Sequence, residues 1–109
     1  MKLKNLEKEL ETNSINELIN AIVLLQNKNE AEQFLRDLLT KQEIIEFGKR
    51  FEAAIMLNKK ISYIEIEKIT GLSSTTIARI SKWLKRGCGG YKLIINRIHH
   101  TNTPLNRNA

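Results

Sequence analysis

The stretch Ser62-Tyr-Ile-Glu-Ile-Glu-Lys-Ile-Thr-Gly-Leu-Ser-Ser-Thr-Thr-Ile-Ala-Arg-Ile-Ser-Lys-Trp-Leu-Lys-Arg86 reads as helix, tight turn, helix. Gly71 falls where the first helix must end in a left-handed residue, Leu72 plugs the angle between the helices, and Ser73 or Ser74 caps the second. Ile66, Ile69, Leu72, Ile77, Ile80 and Leu84 form the expected shared core. With Ile77, Ile80 and Leu84 turned inward, the second helix presents Ser74, Thr75, Thr76, Ala78, Arg79 and Lys82 outward, all small, polar or basic. A helix entering the major groove of DNA needs small residues at its tip, hydroxyls for phosphates or base edges, and Arg or Lys for guanine or the backbone. Ser73 to Lys82 supplies all three, Lys85 follows on the same helix, and the amides at the helix start favour a phosphate.

The charge around this segment agrees with that expectation. The chain has 109 residues and a formal net charge of +6. Residues 1–40 carry five basic and seven acidic side chains, whereas residues 41–109 carry thirteen basic and five acidic. Glu67 is the last acidic residue, and Lys68, Arg79, Lys82, Lys85, Arg86, Lys92, Arg97 and Arg107 follow it without an offsetting carboxylate. Such a half attracts a polyanion, and double-stranded DNA is the partner that the adjoining motif fits. An acidic protein or an anionic membrane surface would feel the same field.

Outside the motif the chain also reads as helical, an all-α fold in one small domain. It has one proline and five glycines, and its apolar residues recur at three- and four-residue spacing. Residues 1–13 are expected as a polar helix or arm, with Leu3, Leu6 and Leu10 on one stripe. Ser14-Ile-Asn-Glu17 is a capping-box pattern ahead of Leu18, Ile19, Ile22, Val23 and Leu25, an apolar face wide enough to be buried on more than one side. A break at Asn27 to Asn29 precedes a helix from Glu30 to Leu39. Thr40-Lys-Gln-Glu43 opens another, running to about Asn58 through Ile44, Ile45, Phe47, Phe51, Ala54, Ile55 and Leu57. Ser62-Tyr-Ile-Glu65 is a third box. The folded domain is expected over residues 14–98, with the reading head at 62–86 and a disordered tail at 99–109.

Taken together, Leu39-Thr40-Lys-Gln-Glu43 with Arg50-Phe-Glu52, Ile69-Thr-Gly71-Leu-Ser-Ser-Thr-Thr76-Ile77-Ala-Arg79-Ile80, and Gly87-Cys-Gly-Gly90-Tyr91 resemble the Trp repressor superfamily, and within it the TrpR-like YerC/YecD branch. The resemblance spans residues 15–98. It implies an intertwined all-helical homodimer whose two reading heads meet successive major grooves of a roughly palindromic operator, with half-sites about 34 Å apart. The implied function is sequence-specific transcriptional regulation, most simply repression. In the Trp repressor proper, two arginines, threonines and a glycine hold the corepressor. Thr40, Arg50, Thr76 and Arg79 match four of those positions, but Ile80 stands at the glycine, where a branched side chain fills the space an indole needs. L-tryptophan is therefore not expected as an effector, and any other small-molecule effector is left unnamed. Arg50 is expected to pair with Glu46 or Glu43 on its own helix, and Arg79 to contact DNA.

The remaining residues offer little chemistry. No catalytic constellation, metal site or cofactor motif is expected: adjacent His99 and His100 point to different sides of a helix, and the lone Cys88 has no histidine near it in sequence. One thiol gives no disulfide framework, which fits a reducing, cytoplasmic setting. No membrane span or export signal is expected. Gly87 to Gly90 reads as a helix stop and turn into a closing helix from Tyr91 to His99, with Trp83 and Tyr91 packed between reading head and dimer core. The rival function is a basic helical interaction module that regulates transcription by contacting a protein partner.

Overall fold

The computed structural model describes residues 12–101, and every regular element among them is an α-helix. The order is α1 (Asn13–Leu24), α2 (Lys28–Leu38), α3 (Lys41–Asn58), α4 (Tyr63–Thr70), α5 (Ser74–Arg86) and α6 (Gly90–Thr101). The chain divides within α3 into an N-terminal unit through Ile44 and a C-terminal unit from Ile45. The stripe at Leu3, Leu6 and Leu10 and residues 102–109 lie outside the described residues.

In the N-terminal unit the helix starts are set by side-chain caps. Thr12, not Ser14, caps α1: its hydroxyl accepts the Ile15 amide at 3.3 Å, with the Ser14 hydroxyl 3.2 Å away. Both residues offer an acceptor, and capping at Thr12 starts the helix at Asn13, one residue ahead of Ser14. Asn27 caps α2 by accepting from the Glu30 amide, and the Glu30 carboxylate accepts in return from the Gln26 amide, both at 2.9 Å. That reciprocal cap starts α2 at Lys28, ahead of the expected Glu30. Thr40 and Glu43 make the expected box in full, the Glu43 amide to the Thr40 hydroxyl at 3.1 Å and the Thr40 amide to the Glu43 carboxylate at 2.9 Å. Neither α1 nor α2 contains a buried residue, and Val23 is 75% exposed.

The core lies in the C-terminal unit. Ala53, Ala54 and Met56 of α3 pack with Ile66, Leu72, Ile77, Ile80, Leu84 and Ile95, and Phe51, Ile55, Leu57, Ile61 and Tyr91 surround them. Burying each large aliphatic side chain contributes about 1.5–3 kcal/mol. Ile69 does not join this core: it is 53% exposed, because Ile66 and Thr70 occupy the inward face of α4 and Ile69 falls off that face. Ile45 and Phe47 are likewise exposed.

The two turns of this unit are built differently. α3 stops in a Schellman arrangement, with the Ile61 amide bonded to the Met56 carbonyl and the Lys60 amide to the Leu57 carbonyl, and Lys60 takes the left-handed conformation at φ 68°. α5 stops at Gly87, where a Cβ would lie 2.5 Å from the Trp83 carbonyl oxygen. α6 then runs to Thr101, with the His100 Nδ1 2.9 Å from the Asn96 carbonyl oxygen, so residues 99–101, expected as the start of a tail, are helical.

Candidate nucleic-acid interface

α5 is sharply two-sided. Ile77, Ile80, Ser81 and Leu84 are buried, Ile77 and Ile80 completely. At 100° per residue, Thr75, Arg79, Lys82 and Arg86 fall on the opposite face at i, i+4, i+7 and i+11, and all four are exposed. Ser74, Ala78 and Lys85 flank this stripe and are exposed as well. Arg86 is not among the outward residues expected from sequence, although its spacing from Thr75 is the signal that marks it.

Ser73, the residue before the helix, is its cap. Its hydroxyl accepts the Thr76 amide at 3.1 Å and donates to the Thr76 hydroxyl at 3.1 Å, so Thr76 is tied into the cap and half-buried while Ser74 and Thr75 face outward. The amides of Ser74 and Thr75 have no carbonyl behind them within the helix and carry its positive dipole end. Ahead of the cap, Gly71 sits at φ 77° and Leu72 is buried as the expected plug. The sequence pattern does not single out Thr70, yet it is buried, and its hydroxyl donates to the Ile66 carbonyl at 2.8 Å and accepts the Leu72 amide at 3.1 Å. Among the described residues no carboxylate lies within ion-pair distance of Arg79, Lys82, Lys85 or Arg86.

Of the four residues matched to a corepressor pocket, Thr40, Arg50 and Thr76 make local contacts. Thr40 caps α3 in the N-terminal unit. Arg50 Nε lies 3.5 Å from Glu46 Oε2, as expected for a pair one turn apart, and its guanidinium carbon is 5.6 Å from the Phe47 ring centroid. That Nε is buried and makes no hydrogen bond, so the pair is held by charge rather than by a directed bond. Arg79 is exposed, while Ile80 beside it is wholly inside the core.

Tyr91 stacks on Phe51 with ring centroids 6.4 Å apart, and burial raises its hydroxyl above the usual tyrosine range against the opposing pull of Arg50. Trp83 remains 45% exposed. Cys88 is a free, exposed thiol. Among the described residues no group of three or more His, Cys, Asp or Glu side chains could hold a metal, and no helix is long and apolar enough to cross a membrane.

Comparison with known proteins agrees with this architecture. Residues 13–99 match the family model described as Trp repressor protein. The uncharacterized protein YerC of Bacillus subtilis (strain 168) is 34% identical over 95 residues, covering 87% of this chain and 91% of YerC. The crystal structure of a TrpR-like protein from Eubacterium eligens ATCC 27750 superposes with a TM-score of 0.80 at 34% identity, covering 85% of this chain and 96% of that one. A second crystal structure, from Staphylococcus aureus, gives 0.78 at 34% identity over 84% and 92% of the two chains.

Proposed function

This chain belongs to the Trp repressor family, and we propose that it is a sequence-specific DNA-binding regulator of transcription, a cytoplasmic repressor that reads a palindromic operator through α4 and α5. The observation that carries this reading is the outward face of α5: Thr75, Arg79, Lys82 and Arg86 in one exposed stripe, opposite the buried face that holds Ile77, Ile80 and Leu84. Hydroxyls at the tip, with Ala78 small enough for close approach, meet the groove, and the cations behind them meet guanine edges and phosphates. A basic surface that only met a protein partner would not need small residues at the helix tip.

The protein acts as a homodimer in this reading. Ile22, Val23 and Leu24 of α1 are more than half exposed, and neither α1 nor α2 has a buried residue. Apolar helices of this kind are normally covered, and a second copy covers both sets by symmetry. No small-molecule effector is assigned.

The test is a selection from random duplex DNA with the purified protein, with oligomer mass measured in the same buffer. A palindromic motif bound by a dimer is the expected outcome, with affinity falling steeply as salt rises. Retention without a motif leaves a general DNA binder. No retention favours the protein-partner reading.

A further inference from the structure

We infer that Thr70 is a positioning residue for recognition, fixing the angle at which α5 is presented; the inference rests on the DNA-reading role proposed above. Thr70 is 3% exposed and so does not meet a ligand itself. It is the last residue of α4, and only Gly71, Leu72 and Ser73 separate it from α5. Its hydroxyl spans that joint in two directions, donating back to Ile66 and accepting forward from the Leu72 amide. A threonine inside a helix commonly returns its hydroxyl to the carbonyl four residues earlier. The forward bond is what matters here, because Leu72 lies outside both helices and its buried amide has no ladder to join.

The geometry makes the Thr70 hydroxyl a latch. Gly71 contributes conformational freedom, in that its left-handed φ carries no Cβ penalty and its own amide bonds only back to Glu67. The Leu72 side chain sits in the core formed with Ile66, Ile77 and Ile80, which fixes how deep the turn lies. Apolar packing is non-directional, so depth alone leaves the Gly71–Leu72 peptide free to rotate. The bond from Leu72 to Thr70 removes that rotation, and Ser73, the next residue, sets the first turn of α5. A small change of tilt there moves Thr75, Arg79 and Lys82 together relative to the core and to a bound groove, and base-edge contacts tolerate such displacement less than phosphate contacts do.

The experiment compares Thr70→Val, which keeps the shape and removes the hydroxyl, with Thr70→Ser, which keeps the hydroxyl. Full-length variants are first melted, and Thr70→Ala replaces Thr70→Val if the latter does not melt cooperatively. Affinity is then measured for the selected duplex and for a scrambled duplex at one salt concentration, and the scrambled duplex is titrated again at higher salt. We expect Thr70→Val to lower the ratio of the two affinities about tenfold or more, with affinity for the scrambled duplex and its salt slope unchanged, and Thr70→Ser to restore the ratio. In a Cys88→Ser background, spin labels at exposed positions 68 and 82 should also give a broader distance distribution in Thr70→Val without DNA. An unchanged ratio in a folded Thr70→Val protein overturns the inference. A wild-type protein that does not discriminate between the duplexes overturns the DNA reading itself, visible in that arm alone, and this role with it.

Discussion

Arg79 and Ile80 are consecutive in sequence, about 100° apart around α5, yet Ile80 lies wholly inside the core and Arg79 is exposed to solvent. One step of the chain thus separates a residue that holds the reading head together from one that faces outward. Arg79→Ala should leave stability within about 0.5 kcal/mol while costing about 1–3 kcal/mol of discrimination between operator and scrambled DNA. Ile80→Ala should do the reverse, lowering unfolding free energy by about 2–5 kcal/mol. Parallel denaturation and DNA titrations check both, and an equal drop in affinity for every sequence in Arg79→Ala would show that the arginine meets only the backbone.

Lys85 flanks the α5 stripe and Lys92 lies exposed on α6. Each is expected to meet phosphate, so Lys85→Ala or Lys92→Ala should weaken binding uniformly across sequences. Removing one such cation should also reduce the slope of log affinity against log salt by about 0.9. Titrations at several salt concentrations measure that slope, and a sequence-dependent effect would move either lysine into the base-reading set.

Burial of Ile80 also bears on effectors. The position that the Trp repressor resemblance gives to a pocket glycine holds a branched side chain with no exposed surface. Calorimetric titration with L-tryptophan should therefore yield only heats of dilution, and micromolar binding would refute the expectation.

The reading head is legible in the sequence because its signals are local. Gly71 for a left-handed φ, a serine cap and isoleucines at three- and four-residue spacing are each decided within one turn of helix, and Thr40 with Glu43 likewise makes a box from residues three apart. The starts of α1 and α2 are misread where two acceptors compete, Thr12 against Ser14, and where Asn27 reads as part of a break although it is a cap. Burial is harder to read, since it depends on what packs opposite. Ile69 fits the apolar pattern and is exposed, whereas Ala53 and Met56 do not stand out in the pattern and are buried. Thr70 is invisible as a latch because its forward bond exists only once the turn has formed. The DNA role of the α5 residues is a proposal from their shared face, which spacing alone could indicate.

Tyr91 offers a pH handle on the packing between α3 and α6. Its folded-state value is raised by burial, with Arg50 pulling it down. The folded protein therefore holds the proton after the unfolded chain has begun to lose it, so this contribution to stability is complete below the unfolded value near 10 and is lost as pH rises through the folded one. Wild type should lose stability in that alkaline window relative to Tyr91→Phe. Removing the cation with Arg50→Met should push the tyrosine still higher, as read from the difference in tyrosinate absorbance between paired variants with and without Tyr91. A downward shift in Arg50→Met would mean that Arg50 acts on Tyr91 other than through its charge.

Lys60 and Gly87 make opposite predictions about the two helix stops. Lys60 adopts φ 68° to close α3, a conformation that costs an L-residue about 1–2 kcal/mol. Its amide bond to the Leu57 carbonyl is made by the backbone, so Lys60→Gly keeps it and relieves the strain, offset by the greater freedom of glycine in the unfolded chain. The net expectation is a gain of about 0.5–1 kcal/mol, seen as a higher urea midpoint at unchanged slope. Asparagine, which tolerates the left-handed region better than lysine, should fall between the two. Gly87 has an ordinary negative φ, but its missing Cβ leaves room for the Trp83 carbonyl, which would otherwise approach to 2.5 Å. Gly87→Ala must displace backbone at the end of α5 and should destabilise by more than about 1 kcal/mol. A stabilising Gly87→Ala would mean that the end of α5 relaxes without cost, and a destabilising Lys60→Gly that the lysine side chain contributes more than its backbone strain removes.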